Sequence, residues 1–254
     1  MDNVNDILND IKNKVADADL VLVGIGEQCA LPTRKMEDMD VFSFALKSGQ
    51  EDIYPYLQQI FIRENEREYL EFYNRLAELI ADKNYYVLTT NVDDVIYRSN
   101  LRNDRIVAPC GSIQTFVCKD CKGDIERVGD EEISNNKEKL IEQNLDEIQV
   151  KKCPVCGKIM TPNIVSCEYY DEKGYLDKWS RYTKWLQGTV NRKLCILELG
   201  VGLNYPTVIR WPNERIVTYN NKAYMYRVHS ALSQLSEGIG ERAMSVSQNP
   251  MTII

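Results

Sequence analysis

Four short apolar runs in this chain each stop at a turn of Gly, Asn or Asp, and that repetition constrains the fold more than any other feature. Leu20-Val21-Leu22-Val23 runs into Gly24-Ile25-Gly26, and Tyr85-Tyr86-Val87-Leu88 runs into Thr89-Thr90-Asn91-Val92-Asp93. Leu194-Cys195-Ile196-Leu197 ends in Glu198-Leu199-Gly200-Val201-Gly202, and Arg215-Ile216-Val217-Thr218-Tyr219 ends at Asn220-Asn221. Unbroken apolar runs of this length fit strands buried on both faces. Helical stretches separate them. Val4, Ile7, Leu8, Ile11 and Val15 recur at helical spacing, and residues 33–83 read mostly as helix, with Leu70, Tyr73, Leu76, Leu79 and Ile80 on one stripe. The pattern predicts an α/β fold built on a parallel sheet. Its polar turns gather at the carboxyl edge of the strands, where open α/β sheets bind ligands.

The segment from about Gln114 to Asn163 breaks this alternation. It carries Cys118-Lys-Asp-Cys121 and Cys153-Pro-Val-Cys156-Gly157, separated by 31 residues that include a charged stretch, Gly129 to Lys152. Two-residue spacing lets both thiolates of a pair face one tetrahedral ion, and four Cys close the shell. These residues predict a structural zinc module inserted at 114–163, with the sheet domain formed by 1–113 and 164–254. Free thiols or redox pairs are the alternative; a disulfide framework would need a secretory context. The chain has eight cysteines and a single histidine, His229, which excludes a His-rich metal site. Cys195 reads as core, Cys29 as either pocket-lining or packing, and His229 as the start of a short helix.

Composition narrows the partners. A net charge of −7 with no basic block excludes sequence-independent binding to nucleic acid. No apolar run approaches ~18 residues, so no membrane span is expected. Met1 to Asp10 is acidic and polar rather than a secretory signal, which points to the cytoplasm. The turn residues themselves stay ambiguous. Gly24-Ile25-Gly26 lacks the third Gly of the dinucleotide fingerprint, so it fits a phosphate-binding turn or a tight turn without a ligand. If the strand end stays extended, Asn91 and Asp93 fall on one side and can orient a ribose and a cationic ring; each is equally suited to capping a helix.

Taken in order, these pieces resemble the sirtuin family across nearly the whole chain. The order is Gly24-Ile25-Gly26, Thr89-Thr90-Asn91-Val92-Asp93, Pro109-Cys110-Gly111-Ser112, the two Cys pairs, Pro162-Asn163-Ile164-Val165, Gly200-Val201-Gly202-Leu203 and Asn220. The resemblance implies NAD bound between a Rossmann-like domain and a small zinc-bearing domain. It implies cofactor contacts from Gly24, Ile25, Gly26, Glu27, Gln28, Thr90, Asn91, Asp93, Cys110, Gly200, Val201, Gly202, Asn220 and Asn221. It also implies catalytic roles for Asn91, Asp93 and Cys110, and zinc on Cys118, Cys121, Cys153 and Cys156. Several family positions differ. Family His-Gly, whose histidine is the general base, is Cys110-Gly111 here. Gly-Ala-Gly-Ile-Ser becomes Gly24-Ile25-Gly26-Glu27-Gln28, and the downstream Asp-Phe-Arg is missing. The Gln of Thr-Gln-Asn becomes Thr90, Gly-Thr-Ser becomes Gly200-Val201-Gly202, and aromatic-Gly-Glu becomes Ser166-Cys167-Glu168.

Leu197 to Gly202 with Pro206 and Trp211-Pro212 is similar to the class M sirtuins, a divergent bacterial branch. That branch transfers ADP-ribose to proteins such as lipoylated carriers, works beside macrodomain hydrolases and also lacks the usual histidine. The resemblance therefore implies a protein substrate, with a lipoylated carrier as one candidate, and a macrodomain partner. Chemistry points the same way. Breaking the nicotinamide–ribose bond needs orientation and polar stabilisation. Deacylation needs, in addition, a base to activate a ribose hydroxyl, and a thiol with a pKa near ~8.5 serves that role poorly. The expected function is an NAD-consuming protein ADP-ribosyltransferase. The alternatives are a weak lysine deacylase and a non-catalytic sensor of NAD or ADP-ribose. Cys110 itself reads as a space-filling relic, a thiolate assisting NAD cleavage, or a redox-sensitive position.

Overall fold

A computed structural model describes residues 4–254; Met1–Asn3, the start of the acidic segment, lie outside the described residues. The first helix is α1 (Val4–Asp17), with Ile7, Ile11 and Val15 buried on its inner face as their spacing predicts. β1 (Leu20–Ile25) follows, and its strand carries through Gly24 and Ile25 before the turn. Three helices make up the next segment: α2 (Asp40–Lys47), α3 (Tyr54–Asn65) and α4 (Arg67–Leu79). On α4 the buried stripe is Phe72, Tyr73, Leu76 and Ala77, with Leu70 and Leu79 only partly covered. β2 (Asn84–Thr89) and the two-residue β3 (Ile106–Val107) complete this half of the sheet.

A second, antiparallel sheet then forms from β4 (Gly111–Val117), β5 (Glu126–Arg127) and β6 (Thr161–Ile164), in the order β5-β4-β6. It begins at Gly111 rather than at residue 114 and ends at Ile164. Between β5 and β6 the charged stretch folds into α5 (Asp130–Ile141), which buries Ile133, Asn136 and Leu140. Asn136 replaces apolar mass with hydrogen bonds: its Nδ2 donates to the Gln149 carbonyl at 3.1 Å, and its Oδ1 accepts from the Gln149 N–H at 2.8 Å. Phe116 of β4 stacks on Tyr56 of α3 with ring centroids 5.2 Å apart, so the small sheet shares its core with the helical segment.

The chain returns through α6 (Leu176–Gln187) to β7 (Leu194–Leu199), α7 (Arg210–Tyr219), β8 (Ala223–Val228), β9 (Ala243–Val246) and α8 (Pro250–Ile253). The large sheet is parallel throughout, in the order β3-β2-β1-β7-β8-β9. This is the doubly wound order of Rossmann-like folds, with its switch point between β1 and β7. Alternation along β1 sends Val21, Val23 and Ile25 into the core under α1 and α4, and Leu20 and Leu22 into the core under α6 and α7.

One predicted strand is a helix. Arg215–Tyr219 is the end of α7, where Arg210, Asn213 and Val217 are buried at helical spacing. The strand lies after it, at Ala223–Val228, where Tyr224, Tyr226 and Arg227 disguise the apolar run. His229 does not begin a helix either; it follows β8 directly into an irregular loop. Among the described residues no helix is long and apolar enough to cross a membrane.

Candidate active site

The carboxyl ends of β1 and β7 meet at the switch point, and their turns are stitched together by the backbone. Gly26 N donates to Leu199 O at 2.9 Å, and Gln28 N donates to Gly200 O at 3.1 Å. A Cβ on Gly26 would fall 2.4 Å from the Val201 Cα, so only glycine lets the turns approach this closely. Gly202 N donates to Glu27 Oε2 at 3.1 Å. Gln28 is held by Ser230: its Nε2 donates to the Ser230 Oγ, and its Oε1 accepts from Ser230 N at 3.1 Å. Gly24 through Gln28 and Gly200 through Gly202 therefore come together at one edge.

The β2 turn joins them, with a different internal arrangement from the expected one. The strand ends at Thr89, so Asn91 and Asp93 lie on an irregular turn rather than on one side of an extended chain. Thr90 N donates to Ile25 O at 3.1 Å, which ties this turn to β1. Asn91 is buried, and its Nδ2 donates to the Tyr73 Oη at 3.5 Å. Asp93 accepts from Leu31 N at 3.0 Å through Oδ2 and from Val95 N at 3.1 Å through Oδ1. It thus clamps the β1 loop to the β2 turn. Burial pushes its carboxyl up to about 6, against the pull of those two N–H groups.

Cys110 sits on the turn before β4, 2 % exposed. Its carbonyl accepts from Val165 N at 3.1 Å. The following Gly111 has φ +91°, and a Cβ there would lie 2.0 Å from the Asn163 carbonyl oxygen. Burial, then the charge of Glu27, pushes the Cys110 thiol up to about 12. His229 reaches the same sheet edge from the end of β8. Its Nδ1 accepts from Ala231 N at 3.0 Å and Leu232 N at 2.9 Å, and burial lowers its pKa. With Nδ1 engaged this way, the neutral ring carries its proton on Nε2. At neutral pH the Cys110 thiol stays protonated, and the one basic nitrogen of the neutral His229 ring is taken up by its own loop.

Asn220 and Asn221 are not part of this edge. They lie between the end of α7 and the start of β8, at the opposite, amino-terminal edge of the parallel strands. Asn220 is a buried cap whose Nδ2 donates to Thr189 O at 3.0 Å and Arg192 O at 3.1 Å. The error follows from the misplaced strand. Cys29 is fully buried against the Leu199 carbonyl, which makes it packing rather than pocket lining.

Two clusters near the site were missed in the sequence. Glu198 and Arg227 face each other in register on β7 and β8, 0 % and 1 % exposed, with Nε to Oε1 at 2.5 Å. Asn213 Nδ2 donates to Glu198 Oε2 at 3.1 Å, and Arg227 Nη1 also meets Glu214 at 2.7 Å. Equal spacing from the strand starts, Leu194 and Ala223, was the available signal. Asp94, in the left-handed region at φ 61°, accepts from Ser112 Oγ at 2.5 Å and Arg127 at 3.2 Å. It lines a cleft of about 600 Å³ beside the Cys110 turn with Arg127, Tyr170 and Lys178.

The four cysteines of the small module converge. Their Sγ atoms all lie within 4.8 Å of one another, and Cys118 and Cys156 are 3.7 Å apart. A tetrahedral zinc with bonds of ~2.3 Å places its sulfurs about 3.8 Å apart, so the donor set fits that ion. The backbone N–H groups of Cys156 and Val155 pull the Cys153 thiol down to about 7, favouring the thiolate a metal needs. Cys118 follows the far end of β4 from Cys110, with an irregular stretch between Ser112 and Phe116 where the pairing with β6 shifts register. A metal there would tie the end of β4 to the Cys153–Cys156 turn.

Comparison with known proteins agrees with this architecture. A family model described as the Sir2 family matches residues 33–196. A probable bifunctional ADP-ribose hydrolase/ADP-ribosyltransferase of Fusarium oxysporum f. sp. cubense is 26% identical over 138 residues, 52% of this chain and 23% of that protein. A protein ADP-ribosyltransferase of Staphylococcus aureus (strain Mu50 / ATCC 700699) is 22% identical over 195 residues, 72% of this chain and 58% of that protein. The chain thus spans 23% and 58% of the lengths of these two relatives. Among solved structures, Sir2 with a p53 peptide and NAD+ matches with a TM-score of 0.54 at 13% identity, covering 96% of this chain and 94% of that one. A second Sir2 enzyme structure matches with a TM-score of 0.52 at 16% identity, covering 98% and 94%. At these identities the likeness to the solved structures is one of fold.

Proposed function

The chain belongs to the Sir2 family, and from that premise we propose that it is an NAD-consuming protein ADP-ribosyltransferase with Cys110 in the place of the family histidine. The observation that carries this reading is the buried thiol of Cys110, pushed up to about 12. At neutral pH such a thiol stays protonated. The only imidazole, His229, has its Nδ1 engaged by its own loop. Deacylation needs a base for a ribose hydroxyl, and lacking one costs ~10²–10⁴ in rate. Transfer to a protein side chain does not need that step. The relatives' names, ADP-ribosyltransferases in both cases, support the same choice.

Bound NAD supplies the ADP-ribosyl group and nicotinamide as the leaving group. In this reading Gly24, Ile25, Gly26, Gln28, Gly200, Val201 and Gly202 form the diphosphate side of the site, with Glu27 on the same turn. Thr90, Asn91 and Asp93 form the nicotinamide side, where Asn91 offers its amide and Asp93 fixes the loop around the leaving group. Cys110 closes the wall between them and excludes water. Zinc on Cys118, Cys121, Cys153 and Cys156 anchors β4, and so the Cys110 turn. The acceptor is a protein; a lipoylated carrier is the candidate to try first. The hydrolase named with the transferase in the Fusarium relative supports a partner, such as a macrodomain, that removes the modification. The cytoplasm is the setting we assign, where reduced thiols persist to hold a metal.

Incubating the purified chain with NAD labelled in its adenylate half, together with a cell lysate or a lipoylated carrier, tests this. The expected result is label on a protein with matching nicotinamide release. No label and no nicotinamide release would overturn it.

A further inference from the structure

Glu27 works against an anionic ligand at the sheet edge. It stands on the turn after β1, and its Oε2 accepts the Gly202 N–H at 3.1 Å. A Cβ on Gly202 would lie 2.0 Å from Glu27 Oε1, so both carboxylate oxygens crowd this backbone. Backbone donors at a switch point are what a nucleotide diphosphate takes. A carboxylate brings the same sign of charge and likewise accepts from the backbone N–H. Among the described residues no Lys or Arg forms an ion pair with Glu27. The nearby Arg210 is turned away, with its guanidinium donating to the carbonyls of Val201, Leu232 and Gln234. The negative charge of Glu27 also reaches Cys110, Tyr205 and His229.

We propose that Glu27 is an internal occupant of the diphosphate position: a nucleotide diphosphate binds by displacing the Glu27 carboxylate from the Gly202 N–H, and Glu27 thereby sets the affinity of the site for anionic nucleotides. This rests on the reading that the edge takes a dinucleotide. It also gives that reading a selectivity. A nucleoside without phosphates has no need of the Gly202 donor and leaves Glu27 in place. The half-buried carboxylate is held by one side-chain hydrogen bond and is not part of the apolar core, so its removal leaves the core packing in place.

The experiment is calorimetric titration of ADP-ribose and of adenosine into the wild-type chain, Glu27→Gln and Glu27→Ala, with thermal midpoints recorded for each. Glu27→Gln keeps an acceptor and removes the charge; Glu27→Ala removes both. A charge-assisted hydrogen bond of the usual strength predicts ADP-ribose binding about tenfold tighter in Glu27→Ala, with Glu27→Gln between it and wild type. Adenosine binding stays the same in all three. Unchanged ADP-ribose affinity overturns the inference alone. So does weaker binding in both variants, which would make Glu27 a direct ligand of the nucleotide. If wild type and both well-folded variants all fail to bind ADP-ribose, the dinucleotide reading falls, and the inference with it.

Discussion

Replacing Glu198 by Ala is the sharpest test of how the sheet edge is held. Glu198 and Arg227 are 0 % and 1 % exposed and paired at 2.5 Å. The substitution strands the guanidinium without its closest counter-charge and removes the carboxylate that accepts from Asn213 Nδ2. Removing one member of a buried ion pair costs about 3–5 kcal/mol. Arg227 keeps Glu214 at 2.7 Å and the Gln234 carbonyl at 2.8 Å, so the lower end applies, about 3 kcal/mol. In a domain of this size that lowers the thermal midpoint by roughly 6–12 °C. Urea unfolding followed by circular dichroism measures it, with the slope checked for an unchanged transition. The double replacement Glu198→Leu with Arg227→Met removes both charges and should recover most of the loss, because a buried pair replaced by apolar groups is often neutral. A cost below about 1 kcal/mol for Glu198→Ala, or a double variant as unstable as the sum of the singles, would refute the argument.

Three further outcomes follow from the same geometry. Metal analysis should find about one zinc per chain, and Cys153→Ser or strong chelation should lower the thermal midpoint; a metal-free chain with an unchanged midpoint contradicts the zinc assignment. His229 has a folded pKa below its usual 6.5 because burial disfavours the charged ring. The unfolded chain therefore binds more protons in that window, and stability is lost as pH falls from about 6.5 through the folded value. His229→Asn should flatten that slope in thermal melts between about pH 7 and pH 5.5. Finally, iodoacetamide at neutral pH should label exposed Cys156 in the metal-stripped chain well before Cys110, whose thiol stays protonated; fast labelling of Cys110 in the folded chain would contradict its burial.

How much of this was legible in the sequence varied with the physics of each element. β1, β2 and β7 announced themselves because strands buried on both faces leave uninterrupted apolar runs ending in turn residues. β8 did not, because Tyr224, Tyr226 and Arg227 meet partners that composition cannot reveal: Asp10 for Tyr226 at 2.6 Å, and Glu198 for Arg227. Its place was given to Ile216 and Val217, two apolar residues that belong to the end of α7. That single slip carried Asn220 and Asn221 to the wrong edge. The two Cys pairs were readable because metal geometry fixes local spacing. Asn91 and Asp93 were readable as a pair, but Asp93's bond to Leu31 depends on a loop 62 residues away. The engagement of Gly202 by Glu27 is likewise a contact across 175 residues. Nothing in the local sequence around either residue signals it.

The measurement that bears most directly on the account is the division of products between wild type and Cys110→His. Both proteins receive labelled NAD, an acyl-lysine peptide and a protein acceptor, and label is counted in protein and in acyl-ADP-ribose. The account predicts protein labelling with little acyl-ADP-ribose from wild type, and about a hundredfold or greater rise in acyl-ADP-ribose from Cys110→His. Wild type that already makes acyl-ADP-ribose as its main product would contradict it. So would a histidine at position 110 that leaves the division of products unchanged.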